Sequence, residues 1–565
     1  MRSTIFLWTM STFCLAAQSY DLVISGAKIV DGTGSPWFHG DLAVTGAKIV
    51  KMTPAGLLAG VNAKRRIAAA GLVLAPGFID IQGHSREYLL NGDGRLIAKV
   101  SQGVTTEIMG EGSSNAPANA RTSTQMPGSA MGKEAKVRFA GDHGFDEWLR
   151  AMEAHGGSVN MGSFMGAGTL RQYMKGMAPG RLDEAQKMEL QRVVRLGMED
   201  GAFGIASALI YPPDSYSNTD ELVEMCRGMA AYGGVYITHL RSEADQLLEA
   251  IDESIDIGRR AGVPVEIYHL KAAGQENYRK LSAAIEKIEG ARAAGLDIQA
   301  SMYPYTAGST GLTSCFPADV AADGKLFANL DNITIRQRIK ADIVSGKVNY
   351  ENLCLQAGPE GVLVLGLIKP ENQKYVGKRL NEIAAAMNKH WVEAAMDLVL
   401  SERQRIGTVY FMMSEENVKR QLQLPWIKIG TDAGGPDPAT ATARVHPRSY
   451  GTYPRILGKY VRDEKVLTLE EAVRKVTSAV ATRLSLRDRG VLREGMAADL
   501  VLFNEATVAE RATYENPHQV STGVEHVFVN GVEVWARGKH TGAKPGKALR
   551  GPGWVKSTGP KVLSK

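Results

Sequence analysis

The segment from Gly234 to Gly274 reads GVYITHLRSEADQLLEAIDESIDIGRRAGVPVEIYHLKAAG, and it restricts the fold more than any other stretch. A short apolar β run ends in His239, an amphipathic helix follows, and a second β run ends in His269. The helix, expected from Ser242 to Gly262, opens on a serine and sets Leu247, Leu248, Ile251 and Ile255 along one face. Two β runs joined in this way are parallel neighbours, so both imidazoles leave the sheet at the same edge. In a closed parallel barrel that edge is the working face. One histidine at a strand end is ordinarily a hydrogen-bonded structural residue, whereas two on adjacent strands begin to describe a metal site.

The rest of the body repeats the pattern. Apolar runs followed by loops and helical periodicity fall at about 77–84, 104–110, 158–165, 202–208, 234–239, 264–269, 297–303 and 427–432. Eight such units predict an α/β fold, a (β/α)8 TIM-like barrel over 76–485. Between its seventh and eighth strands lies a helix-rich insertion at about 317–425, placed to form a lid or wall over the barrel mouth. Residues 20–75 and 486–555 carry instead short alternating apolar runs between turn residues, such as YDLVISGAKIVDGTG and VEHVFVNGVEVW. β runs at both ends of an α/β body predict a small β-sandwich built from both termini, followed by a tail at 556–565.

The opening MRSTIFLWTMSTFCLAAQS has a basic start, a short apolar stretch and small residues near Ala17. It predicts a signal peptide over 1–19 and an exported protein, periplasmic or extracellular, with a retained N-terminal extension as the alternative. The apolar stretch is too short to span a membrane. The formal charge of +6 is dispersed rather than gathered into a run, so neither nucleic acid nor a membrane surface is expected as a partner. Beyond the leader stand Cys226, Cys315 and Cys354, an odd number without metal-ligand spacing. No disulfide framework is expected, and Cys226, inside a helical pattern, is assigned to the core.

Strand one ends in Asp80-Ile81-Gln82-Gly83-His84, strand two in Met109-Gly110-Glu111-Gly112, and strand eight in Gly430-Thr431-Asp432-Ala433. With the strand count above, Gln82, His84, Glu111, His239, His269 and Asp432 share one mouth. Imidazoles mixed with carboxylates suit zinc or a similar divalent ion. Such an ion acidifies a bound water, and Asp432 is placed to take the proton and pass it to a leaving nitrogen. Plainer roles are open as well: Glu111 as a hydrogen-bonded loop acid, Asp432 as the cap of a following turn.

Longer motifs make the reading specific. YDLVISGAKIVDGTG, APGFIDIQGHS, QGVTTEIMGEG, ALIYPPDSYSNTDEL, VYITHLRSE, VPVEIYHLKAAG, YPYTAGSTG, IGTDAG, HPRSYGTYPRILG and GVLREGMAADLVLF run in this order between about residues 20 and 555. Together they resemble the amidohydrolase superfamily and, within it, the N-acyl-D-amino-acid deacylases, or D-aminoacylases. The resemblance implies a metal-bearing barrel that hydrolyses amide or related bonds. It matches His239 and His269 to metal ligands of strands five and six, Asp432 to the general base of strand eight, and His84 to the second histidine of a His-x-His on strand one. Two positions depart from the family. Gln82 stands where the first histidine belongs, and Gly110-Glu111-Gly112-Ser113 stands where these deacylases carry a bridging cysteine in Gly-Asn-Cys-Gly. An amide oxygen is a poorer zinc donor than imidazole. The expectation is therefore one zinc ion held by Glu111, His239 and His269, with His84 and Gln82 lining the water or substrate side and a second metal position compromised. Glu111 facing the substrate is the alternative.

An N-acyl amino acid presents a carboxylate, which calls for cations and hydroxyls near the metal. Lys271 resembles the carboxylate-binding lysine of D-aminoacylases; Tyr303, Tyr305, Ser309 and Arg448 are its candidate helpers, and Tyr211 is a candidate for the acyl pocket or oxyanion. The reading is a metal-dependent hydrolase cleaving the amide bond of N-acyl-D-amino acids or D-residue-containing dipeptides, with a homo-oligomer left open. Two alternatives stand beside it: a related cyclic amidase or lactonase, and a metal-poor, non-catalytic ligand-binding paralogue.

Overall fold

The computed structural model describes residues 19–122, 138–346 and 348–556; the expected leader at 1–19 and tail at 556–565 lie almost wholly outside the described residues. The chain opens with Tyr20–Ile29 (β1), Phe38–Thr45 (β2), Lys48–Pro54 (β3), Ala63–Ala68 (β4) and Val73–Pro76 (β5). Its body contributes Phe78–Asp80 (β6), Val104–Met109 (β7), Asn160–Ser163 (β8), Met165–Gly166 (β9), Gly204–Ala208 (β10), Val235–His239 (β11), Val265–Ile267 (β12), Ile298–Met302 (β13), Ala307–Gly311 (β14), Val362–Val364 (β15), Gly407–Phe411 (β16) and Ile427–Ile429 (β17). The last strands are Leu500–Phe503 (β18), Val524–Val529 (β19), Val532–Ala536 (β20) and Lys539–His540 (β21).

The fold is mixed α/β. β6, β7 and β8 form one parallel sheet; β9, β10, β11, β12, β13 and β17 form another, parallel throughout and in that lateral order. Phe164 alone separates β8 from β9, and a parallel bridge between Gly83 and Ala433 links the end of β6 to the end of β17. Each predicted run contains a strand, shorter than the run itself. These strands are buried along both faces, as Ile205, Ile237, Ile267 and Ala300 illustrate, which is why they read as unbroken apolar segments. The helix after β11 spans Leu247–Ala261 and begins later than Ser242, whose hydroxyl donates to Glu351 (2.6 Å) and accepts the backbone N–H groups of Ala244 (3.3 Å) and Gln246 (3.2 Å) in the turn ahead of it. Helix Glu184–Glu199 begins in a capping box between Asp183 and Gln186.

The two ends of the chain meet in a nine-stranded sheet of order β21-β20-β19-β18-β5-β1-β2-β3, with β4 beside β1. β18 pairs antiparallel with β5, so the C-terminal strands extend a sheet begun by the N-terminal ones. Leu22, Ile24, Leu42, Leu74, Leu500, Leu502 and Phe528 pack into its core.

The insertion builds an apolar core of its own from residues that include Leu312, Phe316, Val392, Met396 and Tyr410. It carries an antiparallel sheet of order β14-β16-β15, so its structure begins at Ala307, ahead of the expected boundary. A disulfide joins Cys315 to Cys354, which corrects the expectation of none. The two cysteines lie 39 residues apart, and their pairing is a product of the insertion's folding that spacing does not reveal. Cys226 is buried and free within the main core. Among the described residues no helix is long and apolar enough to cross a membrane.

Candidate metal centre

The carboxyl ends of the parallel strands deliver the expected residues to one place. His239 closes β11, His269 follows β12 by two residues, Glu111 follows β7, Gln82 and His84 follow β6, and Asp432 follows β17. His269 and Asp432 have positive φ, 32° and 48°. For residues with side chains such backbone costs about 1–3 kcal/mol each, and it persists only where the surroundings enforce it.

Three ligand atoms form a nearly equilateral triangle. His239 Nδ1 and His269 Nε2 are 3.0 Å apart, and Glu111 Oε1 lies 3.3 Å from each. Bonds of about 2.0–2.1 Å at tetrahedral angles place neighbouring zinc ligands roughly 3.3 Å apart, so the triangle has the size of one face of a zinc site. Its donors, two imidazoles and a carboxylate, are those that zinc takes. The outer nitrogens of both rings face one carboxylate: Glu243 Oε1 is 3.0 Å from His269 Nδ1, and Oε2 is 3.6 Å from His239 Nε2. Such outer carboxylates fix the orientation and basicity of metal-binding histidines.

A second group adjoins the first. His84 Nε2 lies 2.9 Å from Asp432 Oδ1 and 3.3 Å from Glu111 Oε2, so Glu111 offers one oxygen to each cluster. The second cluster is, however, already supplied with donors, one of them a cation. Gln82 Nε2 donates to Glu111 Oε2 (2.6 Å), and Arg448 pairs with Asp432 Oδ2 (2.7 Å). Burial and Lys271 oppose a charge on His269, but Glu243 and Glu111 outweigh them and lift the imidazole to about 9. Desolvation likewise opposes a charge on His84, and Asp432 and Glu111 lift it to about 9. Burial raises the Asp432 carboxyl, and Arg448, with His84 and His269, together outweigh it, so the result lies below the ordinary range. The carboxylates thus create a demand for positive charge at the triangle, which a divalent ion meets.

The remaining expected residues spread outward. Lys271 Nζ donates to Glu243 Oε1 (2.6 Å) and lies 2.8 Å from His269 Nδ1, so its ammonium sits behind the triangle. Tyr303 lies with its ring 6.0 Å from that of His269 and 4.5 Å from the Arg448 guanidinium. Arg448 donates to Ser309 O (3.2 Å), while its Nε is buried without a hydrogen-bond partner. Ser309 Oγ donates to Thr408 O within the insertion sheet, and Tyr305 donates to Glu510 Oε2 (2.9 Å), away from the triangle. Tyr211 lies with its ring centroid 5.5 Å from that of His239, tilted at 54°, and donates to Thr310 Oγ1 (2.8 Å). Glu243 was missed from sequence; its signal is a carboxylate four residues after His239, beyond the end of the strand.

Residues 386–535 match the model of the Amidohydrolase family. The chain is 34% identical over 534 residues, 94% of its own length and 98% of the relative's, to a D-aminoacylase from Alcaligenes xylosoxydans xylosoxydans. It belongs to the D-aminoacylase family. A family structure, an N-acyl-D-glutamate deacylase from Bordetella bronchiseptica complexed with zinc and a phosphonate mimic of the tetrahedral intermediate, superposes with a TM-score of 0.78 at 29% identity, covering 94% of this chain and 100% of that one. A D-aminoacylase studied for one-metal activation and second-metal attenuation of its binuclear centre gives 0.76 at 32% identity, again over 94% and 100%.

Proposed function

We propose that the protein is a metal-dependent hydrolase that cleaves the amide bond of N-acyl-D-amino acids or D-residue-containing dipeptides. The observation that carries this is the triangle of Glu111, His239 and His269 with Asp432 beside it. These three residues would hold one divalent ion, zinc by analogy with the deacylase from Bordetella bronchiseptica. Bound there, the ion supplies a Lewis acid and an acidified water. Arg448 holds Asp432 Oδ2 and leaves Oδ1, now facing His84, as the proton acceptor. Asp432, ionised at neutral pH, takes the proton of the attacking water and returns it to the leaving nitrogen. Arg448 Nε, the Tyr303 hydroxyl and a remaining N–H of Lys271 are the donors for the substrate carboxylate, with Ser309 behind them. Tyr211 lines the acyl side. Tyr305 is assigned to support of the wall through Glu510.

One ion is the working number, because Gln82 donates to the Glu111 oxygen that a second would need. The lateral order of strands and the Gly83–Ala433 bridge support a closed (β/α)8 barrel over 76–485, and the nine-stranded sheet supports a β-sandwich from 20–75 and 486–555. The Cys315–Cys354 disulfide supports export to the periplasm or beyond, since such bonds persist in oxidising compartments. Hydrolysis of a panel of N-acyl D- and L-amino acids, with zinc, cobalt or manganese added, tests the reading. Turnover of D-substrates by wild type and its loss in Asp432→Ala is the expected result; turnover of cyclic amides or lactones alone, or equal rates for both proteins, would overturn it.

A further inference from the structure

A buried ammonium lies beneath the metal centre. Lys99, in the short helix Ile97–Val100, has no exposed surface. Its Nζ donates to Asp80 Oδ2 (2.6 Å), Thr431 Oγ1 (2.6 Å) and the carbonyl of Ala433 (2.7 Å), which uses all three N–H groups. Asp80 Oδ1 accepts from the backbone N–H of Thr431 (2.9 Å) and of Gln82 (3.2 Å). The His84 N–H donates to the Ala433 carbonyl (3.0 Å). Glu107 has one oxygen 3.8 Å from Nζ and the other accepting the Ser85 N–H (2.9 Å).

Asp80, Lys99 and Glu107 have no exposed surface, so none reaches a substrate. What they share is the backbone they hold. Thr431 and Ala433 flank Asp432, whose positive φ must be imposed from outside, and both are tied to the Lys99 ammonium. Through Asp80 the same ammonium reaches the strand end that carries Gln82 and His84.

We infer that Lys99 is a positioning residue for the hydrolytic reaction: its ammonium clamps Thr431 and Ala433 so that the Asp432 carboxylate between them faces the reacting atoms. This rests on the role proposed for Asp432. A lysine that served stability alone would change the melting temperature and leave the folded enzyme's turnover intact. The clamp predicts that turnover falls as well, through the placement of Asp432.

Thr431→Val removes the hydroxyl that binds Lys99 and Asp80 while keeping the shape and the backbone N–H; Lys99→Met removes the clamp itself. Misplacement of a catalytic group by about 1 Å costs on the order of a hundredfold, so kcat should fall about tenfold in Thr431→Val and about a hundredfold in Lys99→Met, with KM within about threefold of wild type. Cobalt content and the cobalt absorption spectrum should match wild type, since Glu111, His239 and His269 are untouched. Amide exchange in residues 430–434 should accelerate, and Thr431→Val should cause no further loss in an Asp432→Asn background. Should Lys99→Met fail to fold, Thr431→Val decides. A folded, cobalt-loaded Thr431→Val protein with wild-type kcat and wild-type exchange would overturn the inference, as would a loss that adds fully to Asp432→Asn. If wild type hydrolyses none of the panel, the functional reading fails, while the exchange of 430–434 still tests the clamp.

Discussion

Replacing Glu243 by alanine probes the metal centre from outside its ligand set. Glu243 reaches the outer nitrogens of both histidines, at 3.0 and 3.6 Å, and neutralises the Lys271 ammonium at 2.6 Å. Loss of an outer partner typically weakens metal binding by about 10–100-fold, or about 1.4–2.7 kcal/mol. Glu243 braces the His269 ring directly and meets His239 Nε2, which has no hydrogen-bond partner, only at 3.6 Å, so Glu243→Ala should fall within that range. Part of that loss comes from Lys271, left buried and unpaired beside a site that must accept a cation. Glu243→Ala with Lys271→Met should therefore bind metal about tenfold more tightly than Glu243→Ala alone. Competition for cobalt or zinc against a chelator of known affinity measures both. A single variant within about threefold of wild type, or a double variant no tighter than the single, would refute the bracing role.

Asp432→Asn should lose about 10²–10⁴-fold in kcat while retaining its metal, read by steady-state kinetics beside metal analysis. Gln82→His exchanges a donor on Glu111 Oε2 for an imidazole lone pair, and a cobalt titration should show a second equivalent that wild type lacks. A third prediction concerns pH. His540 Nδ1 accepts the Gly542 N–H (2.8 Å) and its Nε2 lies 2.9 Å from Ser158 Oγ, whose own proton goes to the Ala543 carbonyl, so the ring must be neutral. Burial, then Arg95, push it down from 6.5 to about 4. The unfolded chain binds the proton more readily, so this contribution to stability is complete above about pH 6.5 and is lost as pH falls toward 4. The fall in melting temperature over that window should be shallower in His540→Gln; an unchanged slope would contradict the assignment.

The parallel strands were legible because each is buried on both sides and reads as an apolar run with a chemically distinctive residue at its end, as with Ile237 before His239 and Ile267 before His269. The metal triangle followed from that periodicity, and Glu111 was found by its place after β7. The insertion was less legible. Ala307–Gly311 reads as a glycine-rich loop, and it becomes a strand only because β16 supplies hydrogen-bond partners a hundred residues away in sequence. Ser242 looks like a helix cap, and its oxygen does accept the N–H groups of Ala244 and Gln246, but the helix itself starts later, at Leu247. Lys99, within RLIAKVSQG, looks like a surface lysine on a short helix; nothing local announces Asp80 and Thr431. Residues that hold others in place depend on distant partners, whereas residues at strand ends are marked by position alone.

Anomalous diffraction from crystals grown with zinc tests the central claim most directly. The account predicts one strong peak within bonding distance of Glu111 Oε1, His239 Nδ1 and His269 Nε2, and none of comparable height between His84 and Asp432. An ion bound only by His84 and Asp432, or a protein that crystallises with zinc and shows no peak at either place, would contradict it.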